Sequence, residues 1–310
     1  MLANMDQDLC PYSLYSLQFY LLIPLIRFTH NLDLVIPLNY VIAAIIPIVI
    51  LNGFIKFVCG TDNVTFVKHS PAPDHPHSKS VTLGVIVRSI LLGSIFTLGC
   101  SFICDPLNSH LVPLGLYLIL LSTFHFGEYF VTSLTNPSSL NNSSFLLEQS
   151  VAYAVAISSS FIEYFVELYF FPSSKRLSLI SLLGLLMAIT GEIIRKLAMF
   201  TAGKNFTHLI AIERAPNHRL VTNGIYSYFR HPSYAGWFYW AVGTQLLMLN
   251  PICFLLFIIL SYKFFKDRIT YEEALLIRFF GDQYRTYRGK VRLWMPIWWL
   301  ISRYARSSCK

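Results

Sequence analysis

The sequence predicts an all-α, polytopic integral membrane helical protein with about eight transmembrane helices. Of its 310 residues, 55% are hydrophobic and 13% charged, against about 25% charged in ordinary soluble domains. Mean hydropathy is +0.53. The apolar runs are continuous and approach or exceed the roughly 17 to 25 residues that cross a bilayer as a helix. They do not alternate in short strand-length units, as a membrane barrel requires. Their number excludes reading any one of them as a signal peptide.

In order, the segments fall at 15–27, 36–58, 81–104, 111–131, 145–171 and 177–200, followed by two that share the uncharged run 232–262. The last two separate at Asn250 and Pro251, where the proline breaks the helix. Beyond Tyr262, KFFKDRITYEEALLIRFFGDQY keeps good helix formers with no Pro or Gly before Gly281. The final helix is therefore expected to leave the membrane still folded, with Arg268 and Glu272 on one face at i,i+4 spacing.

The net charge of +8 is concentrated at the end: residues 261–310 hold eleven Lys and Arg against four Asp and Glu. That pattern fits a tail facing anionic cytoplasmic lipid rather than nucleic acid. With both termini cytosolic, Lys56, Lys68, Lys79, Lys204, Arg214, Arg219 and Arg230 join the tail on one side. Chiefly Arg27, Lys175 and Arg176 are left opposite, as the positive-inside bias requires. Sequons at Asn63, Asn142 and Asn205 then face the cytosol and are expected to stay unmodified. The cysteines, at 10, 59, 100, 104, 253 and 309, form no CxxC pair and suggest neither a disulfide framework nor a zinc site.

Charges inside apolar helices must face protein, pair, or lie near an interface. Glu148, Glu163 and Glu167 fall in the fifth segment, His125 and Glu128 in the fourth, and Glu192, Arg195 and Lys196 in the sixth. Glu192 and Arg195 either line a site or make a structural pair. His125 with Glu128 offers two ligands, too few for a metal site, and no metal is expected.

The densest polar motif is GIYSYFRHPSYAGWFYW, residues 224–240. Arg230 offers five fixed donors, and Pro232 suits the first turn of the seventh helix. Backbone donors at that helix start, together with His231, can hold an anionic group. Tyr226, Tyr228, Tyr234 and Trp237 add aromatic faces with polar edges. The plain alternative is an interfacial aromatic belt with a basic flank. Arg268 with Glu272 reads either as an arginine fork gripping a carboxylate or as a surface helix pair worth ~0.2–0.5 kcal/mol. If the ends of the sixth and eighth helices converge, an anion-holding aromatic pocket faces a carboxylate clamp. Neither GxGxxG nor GK[ST] occurs, which argues against Rossmann and P-loop cofactor sites.

The stretches GEIIRKLAMFTAGKNFTH (191–208), LVTNGIYSYFRHPSYAGWFYWAVGTQ (220–245), NPICF and FFKDRITYEEALLIRFFGDQYRTY (264–287) resemble the isoprenylcysteine carboxyl methyltransferase family of the endoplasmic reticulum. HFGEYFVTSLTNPSSL, residues 125–140, extends the resemblance to about residues 110–290. RHPxY followed by an arginine, paired glutamates and FGxxYxxY is the specific part; RHPxY alone is shared with phospholipid methyltransferases and sterol reductases. The resemblance implies a multi-pass membrane enzyme of CaaX processing, its site facing the cytosol. Residues 1–109 would be N-terminal transmembrane helices. Residues 110–310 would form the catalytic membrane core, with a cytosolic connection at 201–231 and a cytosolic C-terminal helix.

The resemblance further implies S-adenosyl-L-methionine as methyl donor, giving S-adenosyl-L-homocysteine, and a prenylated C-terminal cysteine as acceptor. By similarity the cofactor is held by His218, Arg219, Leu220, Val221, Tyr226, His231, Pro232, Ser233 and Tyr234. Arg268 and Glu272 sit at the acceptor carboxylate, with Glu272 fixing Arg268, and Arg195 also faces the reaction. The prenyl chain is expected to enter near the fifth and sixth helices. Two departures stand out: Ala211 replaces a glutamine of the vertebrate pattern, and VRLWMPIWWL replaces the usual RVPxGxPF type of ending. Cys309 is second from the end, not fourth, so this tail is not expected to be an acceptor itself. Competing readings are a phospholipid N-methyltransferase, for which a carboxylate-gripping arginine has no purpose, a sterol reductase using a reduced nicotinamide, and a transporter.

Overall fold

The computed structural model describes residues 79–105, 109–147 and 150–293. The first two expected segments, Glu148, the Asn63 sequon and the basic tail beyond 293 lie outside the described residues. Within them the chain is all helical: α1 (Lys79–Cys104), α2 (Val112–Thr135), α3 (Val151–Phe170), α4 (Leu179–Ala202), α5 (Pro232–Met248), α6 (Pro251–Phe280) and α7 (Asp282–Lys290). The helices α1 to α6 correspond to the third through eighth expected segments. Three stretches, Leu83–Cys104, Ser109–Thr135 and Val151–Phe170, are long and apolar enough to cross a membrane.

Sequence punctuation sets the helix ends. Ser150 caps α3 by accepting from the Tyr153 amide, and Ser178 with Ser181 forms a capping box on α4. Proline stands in the first turn of α2, α5 and α6. Inside α1, Ser94, Thr97 and Ser101 return their hydroxyls to carbonyls one turn back, which satisfies them in an apolar helix.

The core centres on α2, whose Leu114, Tyr117, Leu121 and Phe124 pack with Tyr164, Trp240 and Leu247. Around it, α4 and α5 lie so close that their backbones touch. A Cβ on Gly236 would stand 2.5 Å from the Gly191 carbonyl oxygen, and one on Gly184 would stand 2.3 Å from the Leu247 amide nitrogen. Small residues at this spacing let membrane helices pack without a hydrophobic driving force between them. Facing outward, α3, α4 and α6 show Ile162, Phe165, Leu186, Ile193, Ile252, Leu256 and Ile259, the apolar exterior a lipid solvent favours.

The α5–α6 hairpin does most to place the site. Pro232 lies 16 residues before the end of α5, and Arg268 lies 17 after the start of α6. At 1.5 Å per residue both are about 24–26 Å from the turn, so they stand level. The turn itself is locked at both helix ends. Lys175 is fully buried and donates to the carbonyls of Met248 and Leu249, at 3.0 and 2.8 Å, and to Asn250 Oδ1 at 2.9 Å. Glu163 accepts from the Ile252 and Cys253 amides at 2.7 and 2.6 Å. A cation thus closes the C-terminus of α5 and an anion the N-terminus of α6, in the sense the helix dipole favours. Lys175, expected only as a loop charge opposite the basic face, does lie at the end of the bundle away from the site, and it works there as a cap.

Candidate active site

At the other end of the hairpin, the end of α4, the connection 203–231, the start of α5 and the polar extension of α6 enclose one cleft. The twelve residues that the resemblance assigned to the site line it: Arg195, His218, Arg219, Leu220, Val221, Tyr226, His231, Pro232, Ser233, Tyr234, Arg268 and Glu272; of the aromatic faces named beside them, Trp237 joins the lining and Tyr228 stays exposed outside it. The ends of the sixth and eighth expected helices therefore converge, which the sequence had left as a condition.

The connection has little regular structure, and side chains hold it in place. Asn136, at the C-terminus of α2, donates to the carbonyls of Lys204 and Phe206 at 3.2 and 2.9 Å. Asn205 accepts from the Arg219 amide at 2.9 Å, so this sequon asparagine is engaged within the fold. Arg214 reaches the Phe279 carbonyl at 2.8 Å and lies over the Phe280 ring. His218 sits against the rings of Phe279 and Phe280, where burial first and Arg214 second lower its pKa. From α7, Tyr287 donates to the Tyr226 carbonyl at 2.6 Å, and burial pushes its own pKa up to about 12.

On the α6 wall, Arg268 does not meet Glu272 directly. Nε of Arg268 donates to the Tyr234 hydroxyl at 2.9 Å, and that hydroxyl donates to Glu272 Oε2 at 2.6 Å. The i,i+4 pair expected from the sequence is replaced by a bridge through the phenol, because α5 packs level with Arg268 and fills the gap. Nη2 of Arg268 donates to the His208 carbonyl at 2.6 Å. Tyr234 itself is stacked between His231 and Phe265.

Glu273, next to the predicted Glu272, is the more deeply buried of the two. Arg230 Nε lies 3.1 Å from its carboxylate, Arg288 Nε 3.4 Å and His231 Nε2 3.5 Å. Burial alone would raise its pKa, but His231, Arg230 and Arg288 together hold it below the usual carboxylate range. Sequence reasoning missed this role, although the adjacent glutamates on a helix facing RH were a visible signal.

The predicted partners of Arg195 also change. Its guanidinium, 2% exposed, binds Glu128 in a fork, Nε and Nη2 both at 2.6 Å, and gives Nη1 to Ser233 Oγ at 2.7 Å. The face of Trp237 lies 4.7 Å away. Glu192 instead lies 3.9 Å from Lys196. Arg195 therefore ties α2 and α4 to the start of α5. His125 is committed elsewhere, to the Phe145 carbonyl at 2.8 Å and the Tyr153 hydroxyl at 2.7 Å.

The cleft can hold an anion and a cation side by side. Arg219, His231 and Arg268 supply donors, Glu272 supplies negative charge, and Tyr226, Tyr234 and Trp237 supply ring faces.

The model of the isoprenylcysteine carboxyl methyltransferase (ICMT) family matches residues 182–278, which take in most of α4, the connection, α5 and most of α6. Protein-S-isoprenylcysteine O-methyltransferase of Xenopus laevis is 45% identical over 212 residues, 68% of this chain and 73% of that protein. The Homo sapiens protein of the same name is 44% identical, with 68% of this chain and 74% of that protein covered. The solved structure of the eukaryotic intramembrane Ras methyltransferase ICMT superposes with a TM-score of 0.78 at 32% identity, covering 92% of this chain and 97% of that chain. Helical architecture and sequence agree, and the chain belongs to the isoprenylcysteine carboxyl methyltransferase family.

Proposed function

We propose that this chain carries out the reaction of its family in the cleft at the end of the α5–α6 hairpin. The reaction is methylation of the C-terminal α-carboxylate of a prenylated cysteine, with S-adenosylmethionine as donor and S-adenosylhomocysteine as product. The site faces the cytosol from the endoplasmic reticulum membrane, the orientation in which the basic face is cytosolic. The observation that carries the reading is Arg268. Its Nε and Nη2 are fixed by Tyr234 and the His208 carbonyl, and no carboxylate pairs with it directly among the described residues. A guanidinium held in a cleft in this way suits an acceptor carboxylate.

The lining fits the cofactor's chemistry. Its amino-acid end carries both a carboxylate and an ammonium, and the wall presents Arg219, His218 and His231 as well as Glu272. Leu220, Val221, Phe279 and Phe280 provide apolar surface for the base, and Tyr226 and Tyr234 give ring faces suited to a sulfonium. His231 and Arg230 also line the cleft, and both lie against the Glu273 carboxylate, at 3.5 and 3.1 Å. S-adenosylmethionine supplies an electrophilic methyl, to which a carboxylate oxygen bonds as the methyl–sulfur bond breaks and its electron pair stays on sulfur.

The residues' task is alignment and exclusion of water. An α-carboxyl ionises at about pH 3.3–3.7, so no general base is required near neutrality. Arg268 orients one carboxylate oxygen and leaves the other to react; a tighter grip would stabilise the ground state and slow the step. Trp237, Phe264, Leu275 and Leu276 form an apolar side of the cleft, and Phe264 is half exposed on the outer face of α6. The prenyl chain is proposed to pass Phe264. Of the two helices expected near the entrance, the fifth (α3) gives no residue to the cleft lining and the sixth (α4) gives Arg195 and Ala202.

The deciding measurement is methyl transfer from labelled S-adenosylmethionine to N-acetyl-S-farnesyl-cysteine by the purified, detergent-solubilised protein. Base-labile ester should form from the free acid, not from the amidated acceptor, and should be lost in Arg268→Ala. Cofactor binding without ester formation would reject this acceptor and point to a lipid amine.

A further inference from the structure

Glu128 is fully buried in α2 and gathers donors from three residues. Arg195 gives Nε and Nη2 at 2.6 Å each, Lys196 gives Nζ at 2.6 Å, and His208 lies 2.9 Å away through Nε2. Arg195 and Lys196 belong to the packing of α2 on α4. His208 does not: it sits in the connection, and its main-chain carbonyl receives Arg268 Nη2 at 2.6 Å. The backbone just before it is tied down at Phe206 by Asn136. The side chain of His208 is thus the second anchor of a short stretch whose carbonyl aims Arg268.

We propose that Glu128 is a positioning residue for Arg268, acting through His208. It rests on the reading of Arg268 as the group that holds the acceptor carboxylate. A fork that must present one carboxylate oxygen to a methyl group has to be held to within about 0.5 Å, and a misplacement of about 1 Å costs on the order of a hundredfold. Tyr234 fixes Nε of Arg268 from the α5 side, while the carbonyl of His208 fixes Nη2 from the connection. Glu128 sets the second of these from a helix that contributes no residue to the cleft wall. Were Glu128 present only to neutralise Arg195 and Lys196, His208 would be dispensable for turnover.

The test separates these roles at His208, where substitution leaves the main-chain carbonyl and the Glu128–Arg195–Lys196 cluster in place. His208→Ala should lower kcat/KM for the farnesyl-cysteine acceptor about tenfold, within the range expected for lost alignment, and leave the S-adenosylmethionine dissociation constant unchanged. His208→Gln, whose amide N–H can replace Nε2, should restore most of the loss. His208→Asn, too short to reach Glu128, should not. In an Arg268→Lys background, His208→Ala should have little further effect, because residues acting as one unit are not additive. An equal loss in both backgrounds overturns the relay while leaving the role of Arg268 standing. Normal turnover by Arg268→Lys alone overturns that role itself. A loss shared by acceptor turnover, cofactor affinity and thermal midpoint that Gln does not restore makes the contact structural and overturns the proposal. Should His208→Ala fail to fold, the Gln and Asn variants decide by the same criteria.

Discussion

The hydroxyl of Tyr234 accepts from Arg268 Nε at 2.9 Å while donating to Glu272 at 2.6 Å, so the arginine and the glutamate are joined through a residue on another helix. Tyr234→Phe removes this bridge and keeps the ring stacked between His231 and Phe265. Hydrogen bonds to charged groups contribute about 1.5–3 kcal/mol, which corresponds to about 10- to 100-fold in rate. Turnover of a farnesyl-cysteine acceptor should fall by that factor, with the KM for S-adenosylmethionine little changed. Steady-state kinetics on both substrates checks it; an unaltered kcat would remove Tyr234 from the alignment of Arg268.

Lys175 is the corresponding lock at the far end of the hairpin. Lys175→Met leaves the carbonyls of Met248 and Leu249 and the Asn250 side chain without their donor, and Glu167 without the cation 2.6 Å away. Breaking a buried pair on one side typically destabilises by about 3–5 kcal/mol. The thermal midpoint in detergent should fall sharply, while the kcat of the fraction that remains folded should hold, since the site lies at the other end of α5. A stable variant with lost activity would contradict this division of labour.

Gly236 and Gly289 make a contrast. A methyl group at Gly236 would meet the Gly191 carbonyl oxygen at 2.5 Å and the Arg195 amide at 2.7 Å, both of them backbone, which cannot rotate away. Gly236→Ala must therefore separate α4 from α5, with a loss of about 1–3 kcal/mol or more. Activity should fall with it, because the Arg195–Ser233 contact spans the same interface. At Gly289, within α7, nothing lies within 4 Å of the added methyl, and Gly289→Ala should be neutral or stabilising by up to about 1 kcal/mol. Thermal denaturation of the two variants side by side measures the difference.

Glu273 lies on the polar extension of α6, beyond its apolar run. Its carboxyl is held below the usual range, so the unfolded chain binds more protons than the folded one as pH falls toward that range. The stability it contributes is complete above the unfolded value of about 4.3 and is lost as pH falls through the folded value. Glu273→Gln should lower the thermal midpoint at neutral pH and flatten its further decline on acidification. A variant whose pH profile parallels that of the unaltered protein would show that Arg230, His231 and Arg288 gain nothing from the carboxylate's charge.

The helical membrane class, the break at Asn250 and Pro251, and the unbroken run of α6 to Gly281 were legible in the residues alone. These are local properties: apolar length, a proline at the break, and helix formers without interruption. Whether RHPSY meets Arg268 stayed conditional in the sequence; in the structure, equal rise along two antiparallel helices brings these residues, equidistant from their turn, level. The resemblance to a known family then marked twelve residues, and all of them line one cleft. What the sequence left open was which charge each of them faces. Glu192 and Arg195, three apart, invited pairing along one helix, and Arg268 and Glu272 invited it one turn apart. Only the tertiary structure gave Arg195 to Glu128, 67 residues away, and Arg268 to Tyr234 and His208. Inside a packed bundle a fork goes to the acceptor that neighbouring helices hold in its plane. Packing likewise decided the parts of Glu128, Glu163 and Lys175, whose partners lie on other elements: Arg195 and Lys196 on α4, the first amides of α6, and the last carbonyls of α5.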